Sequence, residues 1–251
     1  MHFPINLHLF GKEISTHYAL EIISIFIGVR YYVFLRKRSH DTISDVNRLK
    51  IFVAVCLGAL LGSRLVGVFE DPEQFFAAPD KFRYIFSNKT IVGGLLFALF
   101  FVELFKLKLK IKTSSGDVMT YPLLLALILG RIGCFCEGLD DGTIGRATTL
   151  FTGINFGDGI LRHPLPLYEI TFLSCLWLVI YNLDKKKVLA NGSKFKLFLI
   201  NYFFYRFCIE FLKDNEFTIF YLSTIQIACL IGLIYYIKTL VQPKTLFLRY
   251  A

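Results

Sequence analysis

Charged side chains are scarce in this chain of 251 residues. Only 19% are Asp, Glu, Lys or Arg, where a soluble domain carries about a quarter. Hydrophobic residues make up 55%, with 27 phenylalanines, and mean hydropathy is +0.57. That deficit excludes an ordinary soluble domain and implies a polytopic membrane protein. A disulfide framework is also missing. Of six cysteines, Cys56, Cys175, Cys208 and Cys229 lie inside apolar runs, where cysteine packs as a small hydrophobe. Cys134 and Cys136 stand in C-x-C spacing, too tight for an unstrained disulfide, so two free thiols are expected. No second cysteine or histidine pair lies nearby at metal-ligand spacing, so no metal is expected. There is no basic n-region or small-residue cleavage site near the start, so the first apolar run is expected to stay as a span. Repeats of 20–50 residues, low-complexity linkers and the matched halves of an inverted-repeat transporter are absent too.

The net charge of +9 does not point to nucleic acid. The basic residues fall in short clusters between apolar runs instead of lining one polar face, which is the positive-inside pattern. A membrane helix needs about 20 mostly apolar residues. Seven runs approach this: His17–Phe34, Ile51–Phe69, Ile91–Phe105, Val118–Phe135, Pro166–Tyr181, Phe195–Phe211 and Ile219–Ile237. The loops Arg36–Lys50, Lys106–Lys112 and Asp184–Lys187 are basic and alternate with acidic or mixed ones. The expected architecture is therefore an all-α, polytopic membrane helix bundle with seven transmembrane helices, the N-terminus outside and the C-terminus cytoplasmic, with Lys238, Lys244 and Arg249. All 251 residues form one transmembrane domain. The segment 136–165, rich in Gly, Asp and Thr, is expected as an extracytoplasmic loop contributing to a site, since long ordered loops in compact domains are often functional.

Ionisable groups inside spans are costly and mark function. Arg64, Arg131 and Arg206 lie in three different runs, nearer their outer ends. Two readings stand: they clamp a phosphate head group through bidentate guanidinium contacts, or they pair with Glu169, Glu210 and Glu21 to hold the bundle. Arg30 is close enough to an inner end to snorkel. Gly58 and Gly62, at i and i+4, present a flat face for helix packing. Gly93 and Gly94 open an apolar run, where a helix N-terminus offers N–H groups to an anion. In "RHPLPLYE" (Arg162–Glu169) the prolines suit a helix start. Tyr168 reads as an interface anchor, and Glu169 gains from the helix dipole. His163 is either structural or a proton-transfer group.

These pieces, in this order, resemble the prolipoprotein diacylglyceryl transferase family over nearly the whole chain. "GALLGSRLVGVFEDPEQFFAAP" resembles the family's second span and following loop, and "IVGGLL" its His-Gly-Gly segment. "GRIGCFCEG" resembles the signature G-R-[IL]-G-N-F-x-N-G-E, and "RHPLPLYE" the motif R-H-P-x-Q-L-Y-E. "YRFCIEFLKD" and "STIQI" resemble the F-R-x-x-x-E-F-x-R and S-M-G-Q-x segments. The resemblance implies transfer of the diacylglyceryl group of phosphatidylglycerol to the lipobox cysteine of a preprolipoprotein in the bacterial inner membrane. The thiolate attacks the glyceryl carbon, glycerol phosphate leaves, and no metal or cofactor is needed. The implied partners are phosphatidylglycerol, the preprolipoprotein signal peptide and membrane lipid.

Arg131 and Arg206 are then the expected phosphate clamp. Arg64, Arg146, Gly93, Gly94, Tyr168 and Glu169 complete the substrate-binding set. The chain departs from the family pattern where the family histidine reads Val92 and the signature asparagine reads Cys134. The family glutamate has no exact match, with Asp140 or Asp141 as its substitute, and a glutamine reads Pro166. A thiol with a pKa near about 8.5 still needs activation. His163, Glu137 and Asp140 are the expected catalytic candidates. Two other readings stay open: a same-fold enzyme with another acceptor or lipid, and a lipid-binding paralogue that has lost the base.

Overall fold

The computed structural model describes residues 3–9, 11–39, 43–214 and 219–248. Arg249, and parts of the loops 36–50 and 213–217, lie outside the described residues. A β-ribbon comes first, β1 (Asn6–Leu9) pairing antiparallel with β2 (Lys12–Ser15). Ser15 then caps α1 (Thr16–Arg38) by accepting the Tyr18 N–H, and Ser44 caps α2 (Asp45–Val68) in the same way. The short helices α3 (Pro72–Ala77) and α4 (Lys81–Ser87) are each capped by an aspartate. Thr90 caps α5 (Ile91–Leu109), which lies at 88° to α4. The long helices α6 (Thr120–Glu137), α7 (Leu165–Lys185) and α8 (Ser193–Ile209) follow, then α9 (Thr224–Tyr235) with a Ser223/Gln226 capping box, and the short α10 (Ile237–Val241).

Among the described residues, four helices are long and apolar enough to cross a membrane: Thr16–Arg38, Asp45–Val68, Asp117–Asp141 and Leu165–Lys185. The bent pair Lys81–Ser87 and Ile91–Lys108 makes a fifth if it counts as one span. The last two expected runs are shorter as helices than as apolar sequence, for local reasons. The run Phe195–Phe211 gives a helix of 17 residues that tightens into a 3₁₀ turn at Glu210. In Ile219–Ile237 the first residues form a turn closed by Ile219 and Leu222, with Phe220 and Tyr221 at positive φ. The helix begins only at the Ser223 cap, and 12 residues remain.

Side chains are sorted as lipid would sort them. Ile22 (69% exposed), Phe26 (66%) and Phe100 (62%) stand outward on α1 and α5. Apolar surface on that scale belongs against hydrocarbon, not water. The core lies between α6, α7, α8 and α9, where Leu124, Leu173, Ile180, Phe198, Tyr202 and Phe203 are fully buried. Helix α2 lies against α5, and α1 against α6, at close range. At Gly62 a Cβ would sit 2.3 Å from the Gly93 carbonyl oxygen and from Phe97 Cβ, so the backbone approach of α2 to α5 depends on a missing side chain.

The 138–164 segment is ordered by backbone pairing. β3 (Ile154–Asn155) pairs with β4 (Leu161–Arg162). The ladder runs on through Thr148 N–H to Leu161 O (2.8 Å), His163 N–H to Arg146 O (3.1 Å) and Gly145 N–H to His163 O (2.9 Å). Phe156, 2% exposed, joins Phe3 and Phe135 in an aromatic cluster that ties this segment and the N-terminal ribbon to the end of α6.

Gly62→Ala should destabilise the protein by about 1–3 kcal/mol or more through overpacking. Gly130→Ala, with nothing within 4 Å of the added Cβ, should be neutral or mildly stabilising. Thermal unfolding of the two variants in detergent checks the contrast.

Candidate active site

The last turns of α6 and α8 and the first turn of α7 meet at one end of the bundle. Position 131 is a turn and a half from the end of α6, Glu169 is in the first turns of α7, and Arg206 is near the end of α8. All three side chains point to a common centre. Arg131 Nε lies 3.0 Å from Glu169 Oε2, and Arg206 Nη1 donates to the same oxygen at 2.9 Å. Tyr202 OH donates to Glu169 Oε1 at 2.7 Å, and Arg206 Nη2 donates to Glu210 Oε2 at 3.2 Å. Arg131 is 5% exposed, and Glu169 and Glu210 are each 2%. The pairing reading of the arginines thus holds for Arg131 and Arg206 with Glu169 and Glu210, whereas Glu21 pairs with Lys89. Burial on this scale is tolerable only because each ion has both a counter-charge and hydrogen bonds.

The network is not saturated. Arg206 Nε and the Tyr205 hydroxyl are buried without a hydrogen-bond partner, and Arg131 Nε, although at ion-pair distance, does not aim its N–H at Glu169. Buried donors left unpaired cost about 1–3 kcal/mol each, so this centre has donors to offer an incoming anion. Glu70, just beyond α2, feels Arg206, Glu210 and Lys213. Burial pushes its carboxyl above the usual range, Glu210 adds to this, and the two cations oppose it.

Arg64 does not join the network. Its Nη1 donates to the Phe86 carbonyl at 2.5 Å and its guanidinium lies over the Phe86 ring. Its position on α2 turns it toward the α4 segment. Gly93 and Gly94 also play another part than the expected anion site. Thr90 accepts the Gly93 N–H through its hydroxyl and the Gly94 N–H through its carbonyl, while α2 occupies the space beside Gly93. Val92, where the family pattern has histidine, is 1% exposed within the core.

A second group lies on the 138–164 segment. A shallow cavity of about 640 Å³ is lined by Arg146, Thr148, Thr149, Ile160, Leu161 and His163. Arg146 is exposed, with no carboxylate partner among the described residues. The His163 Nδ1 is in hydrogen-bond contact with Tyr168 OH at 3.3 Å, and Tyr168 OH with Thr152 Oγ1 at 2.5 Å. Tyr168 is therefore a link between α7 and the loop, not an isolated surface anchor. Burial, helped by the nearby Arg146 charge, holds the His163 imidazole below its ordinary pKa, so it is neutral and able to accept a proton.

Glu137 accepts a hydrogen bond from Ser15 Oγ at 3.1 Å. Asp140 is exposed, and it is its neighbour Asp141 that turns inward. Asp141 Oδ1 lies 3.4 Å from His17 Nδ1, and its Oδ2 accepts from Thr143 Oγ1. With Cys134 these make the donor set among the described residues that suits a metal: the ligand atoms of His17, Cys134 and Asp141 all lie within 4.8 Å of one another. His17, Glu70 and Tyr202 are not singled out as site residues by the sequence, which offers Asp141 only as an alternative to Asp140. Tyr202 reads as one more aromatic in an apolar run, and His17 is brought to the C-x-C only by the packing of α1 on α6.

The fold and this end of the bundle define a polytopic membrane protein with an arginine–carboxylate centre beside an ordered loop. The family model described as prolipoprotein diacylglyceryl transferase matches residues 4–242. The chain belongs to that family. It is 29% identical over 246 residues to the phosphatidylglycerol–prolipoprotein diacylglyceryl transferase of Campylobacter curvus, covering 89% of this chain and 87% of the relative. It is 29% identical over 224 residues to the protein of that name from Bordetella bronchiseptica (85% and 80% covered). With the one from Wolbachia pipientis it shares 30% over 202 residues (76% and 75% covered).

Removing Glu169 leaves two buried guanidinium groups uncompensated. Glu169→Gln should lower stability by about 3–5 kcal/mol, far more than Arg64→Gln, as read by thermal unfolding. The His163 shift has a defined sign. A folded-state pKa below the unfolded value means that the unfolded chain binds more protons as pH falls, so this contribution is present above the unfolded pKa and lost on acidification. The unfolding midpoint should fall between about pH 7 and pH 5, and His163→Gln should flatten that fall.

Proposed function

We propose that this chain transfers the diacylglyceryl group of phosphatidylglycerol to the lipobox cysteine of preprolipoproteins. It works in the bacterial inner membrane as a single domain of seven passes, with α8 and α9 as its two short spans. The N-terminus is outside, the C-terminus is cytoplasmic, and the 136–165 segment faces outward. Displacement at the glyceryl carbon breaks its bond to the phosphate oxygen, so negative charge grows on the leaving glycerol phosphate. Positive groups placed in advance stabilise that charge. The observation that carries the reading is the convergence of Arg131 and Arg206, from two helices, on one centre whose buried N–H donors are not all used.

Arg146 is the exposed cation at the loop cavity and makes the first contact with the lipid phosphate. Arg131 and Arg206, held by Glu169, supply the fixed positive charge of the same end. His163 is the neutral proton acceptor on the cavity wall, with Tyr168 orienting it, and Glu137 and Asp140 are the carboxylates at the mouth. Arg64 orders the α2–α4 corner, and Gly93 lets α5 approach α2.

Purified protein mixed with phosphatidylglycerol vesicles and a lipobox peptide should add the mass of one diacylglyceryl group to the peptide. Arg131→Ala and Arg206→Ala should lower the rate by about 10²–10³, and Arg146→Ala should act mainly on the lipid concentration needed. Lipid binding without any mass gain would instead select the paralogue that lost its base. Mass gain on a different acceptor would select the same-fold enzyme with another substrate.

A further inference from the structure

We propose that His17, Cys134 and Asp141 form a zinc site whose open fourth position takes the acceptor thiol. The juxtaposition comes from three elements: His17 in the first turn of α1, Cys134 in the last turn of α6, and Asp141 in the 3₁₀ turn after it. Their ligand atoms lie within 4.8 Å of one another. A tetrahedral zinc has bonds of about 2.0–2.3 Å, so its ligand atoms lie only a little closer together than these do. Thiolate, imidazole and carboxylate are a donor set suited to zinc.

Two further observations point to a ligand. His17 Nδ1 is buried with no hydrogen-bond partner although Asp141 Oδ1 is only 3.4 Å away, which leaves this nitrogen available to a cation between them. Each ligand also has an outer partner that would fix it. His17 Nε2 faces Glu21 Oε2 at 3.8 Å, Asp141 Oδ2 accepts from Thr143 Oγ1, and Cys134 Sγ accepts from Arg131 Nη1 at 3.6 Å. Ligands supported from behind in this way characterise metal centres. Three protein ligands with one open position is the layout of catalytic, not structural, zinc.

The role, though not the site, rests on the transfer reaction proposed above. One thiolate, one carboxylate and one neutral imidazole leave bound Zn²⁺ uncharged. An incoming cysteine thiol displaces water from the fourth position and is deprotonated outright on coordination, its proton passing through water to the neutral His163 proposed above as acceptor. The bound thiolate then forms the C–S bond while the C–O bond breaks, and the oxygen keeps that electron pair as glycerol phosphate leaves. This answers the loss of the family histidine at Val92: the residue that replaces the signature asparagine, Cys134, supplies the means of activation.

The test uses the full chain in detergent and zinc or cobalt(II) ions as probes. Metal analysis after zinc loading and dialysis should give one zinc per chain, and Cys136→Ser should retain it. Cys134→Ser and the milder His17→Gln should weaken binding by more than about 100-fold, and Glu21→Gln by about 10- to 100-fold. Cobalt-loaded protein should show sulfur-to-cobalt charge transfer that strengthens on adding lipobox peptide and not on adding its Cys-to-Ser analogue. Thermal unfolding confirms that each variant is folded, and zinc should raise the midpoint of the wild type but not of Cys134→Ser. The proposal is overturned by absence of stoichiometric zinc, by binding that survives Cys134→Ser or His17→Gln, or by a cobalt spectrum indifferent to the thiol peptide. Undiminished lipidation by metal-free protein would overturn the role in thiol activation. Zinc bound as described with no lipidation in any metal state leaves the site standing and removes the transferase reading instead.

Discussion

Glu169 holds one end of this molecule together because it is the carboxylate that two guanidinium groups from different helices share. In a medium of low dielectric an isolated buried arginine is very costly, and so is an isolated buried glutamate. Arg131 on α6 and Arg206 on α8 are acceptable inside the bundle only while α7 presents Glu169 between them, with Tyr202 on the second oxygen and Glu210 on the far side of Arg206. The positions of three helix ends are therefore coupled electrostatically as well as by packing. Because Arg131 also touches Cys134, that coupling reaches the turn carrying Asp141.

Such coupling would preorganise the centre for the phosphate role proposed above. Bare cations at the edge of a bilayer would collect any anion and would move. Cations pinned by a carboxylate keep their geometry, and the donors left over, Arg206 Nε and the Tyr205 hydroxyl, define where an additional acceptor gains most. The 138–164 segment adds an exposed arginine, a histidine and a shallow cavity, all fixed by a backbone ladder rather than by a hydrophobic core.

Close helix approach underlies the rest. Gly62 and Gly93 bring α2 and α5 so near that their backbones touch, which places the Thr90 cap and the α4 corner carrying the Arg64 contact. On the other side α1 lies on α6 closely enough that His17 reaches the C-x-C turn. Small residues here act at a distance, by deciding which polar groups come within bonding range.

The sequence alone determined the class of architecture, since several apolar runs of membrane length have no stable place in water. It also determined the family, through motifs that are local in the chain, and it singled out Arg64, Arg131, Arg206 and Glu169 because ionisable groups in apolar runs stand out. Span lengths were less legible: the turn at Ile219–Leu222 and the 3₁₀ end at Glu210 shorten two helices through backbone geometry that hydropathy does not encode. Only the tertiary structure decided which acid answers which arginine, that Arg64 turns away to Phe86, that Asp141 and not Asp140 faces inward, and that His17 joins Cys134. Those outcomes depend on distances between helices far apart in the chain, and such distances are set by packing, which no local pattern of residues contains.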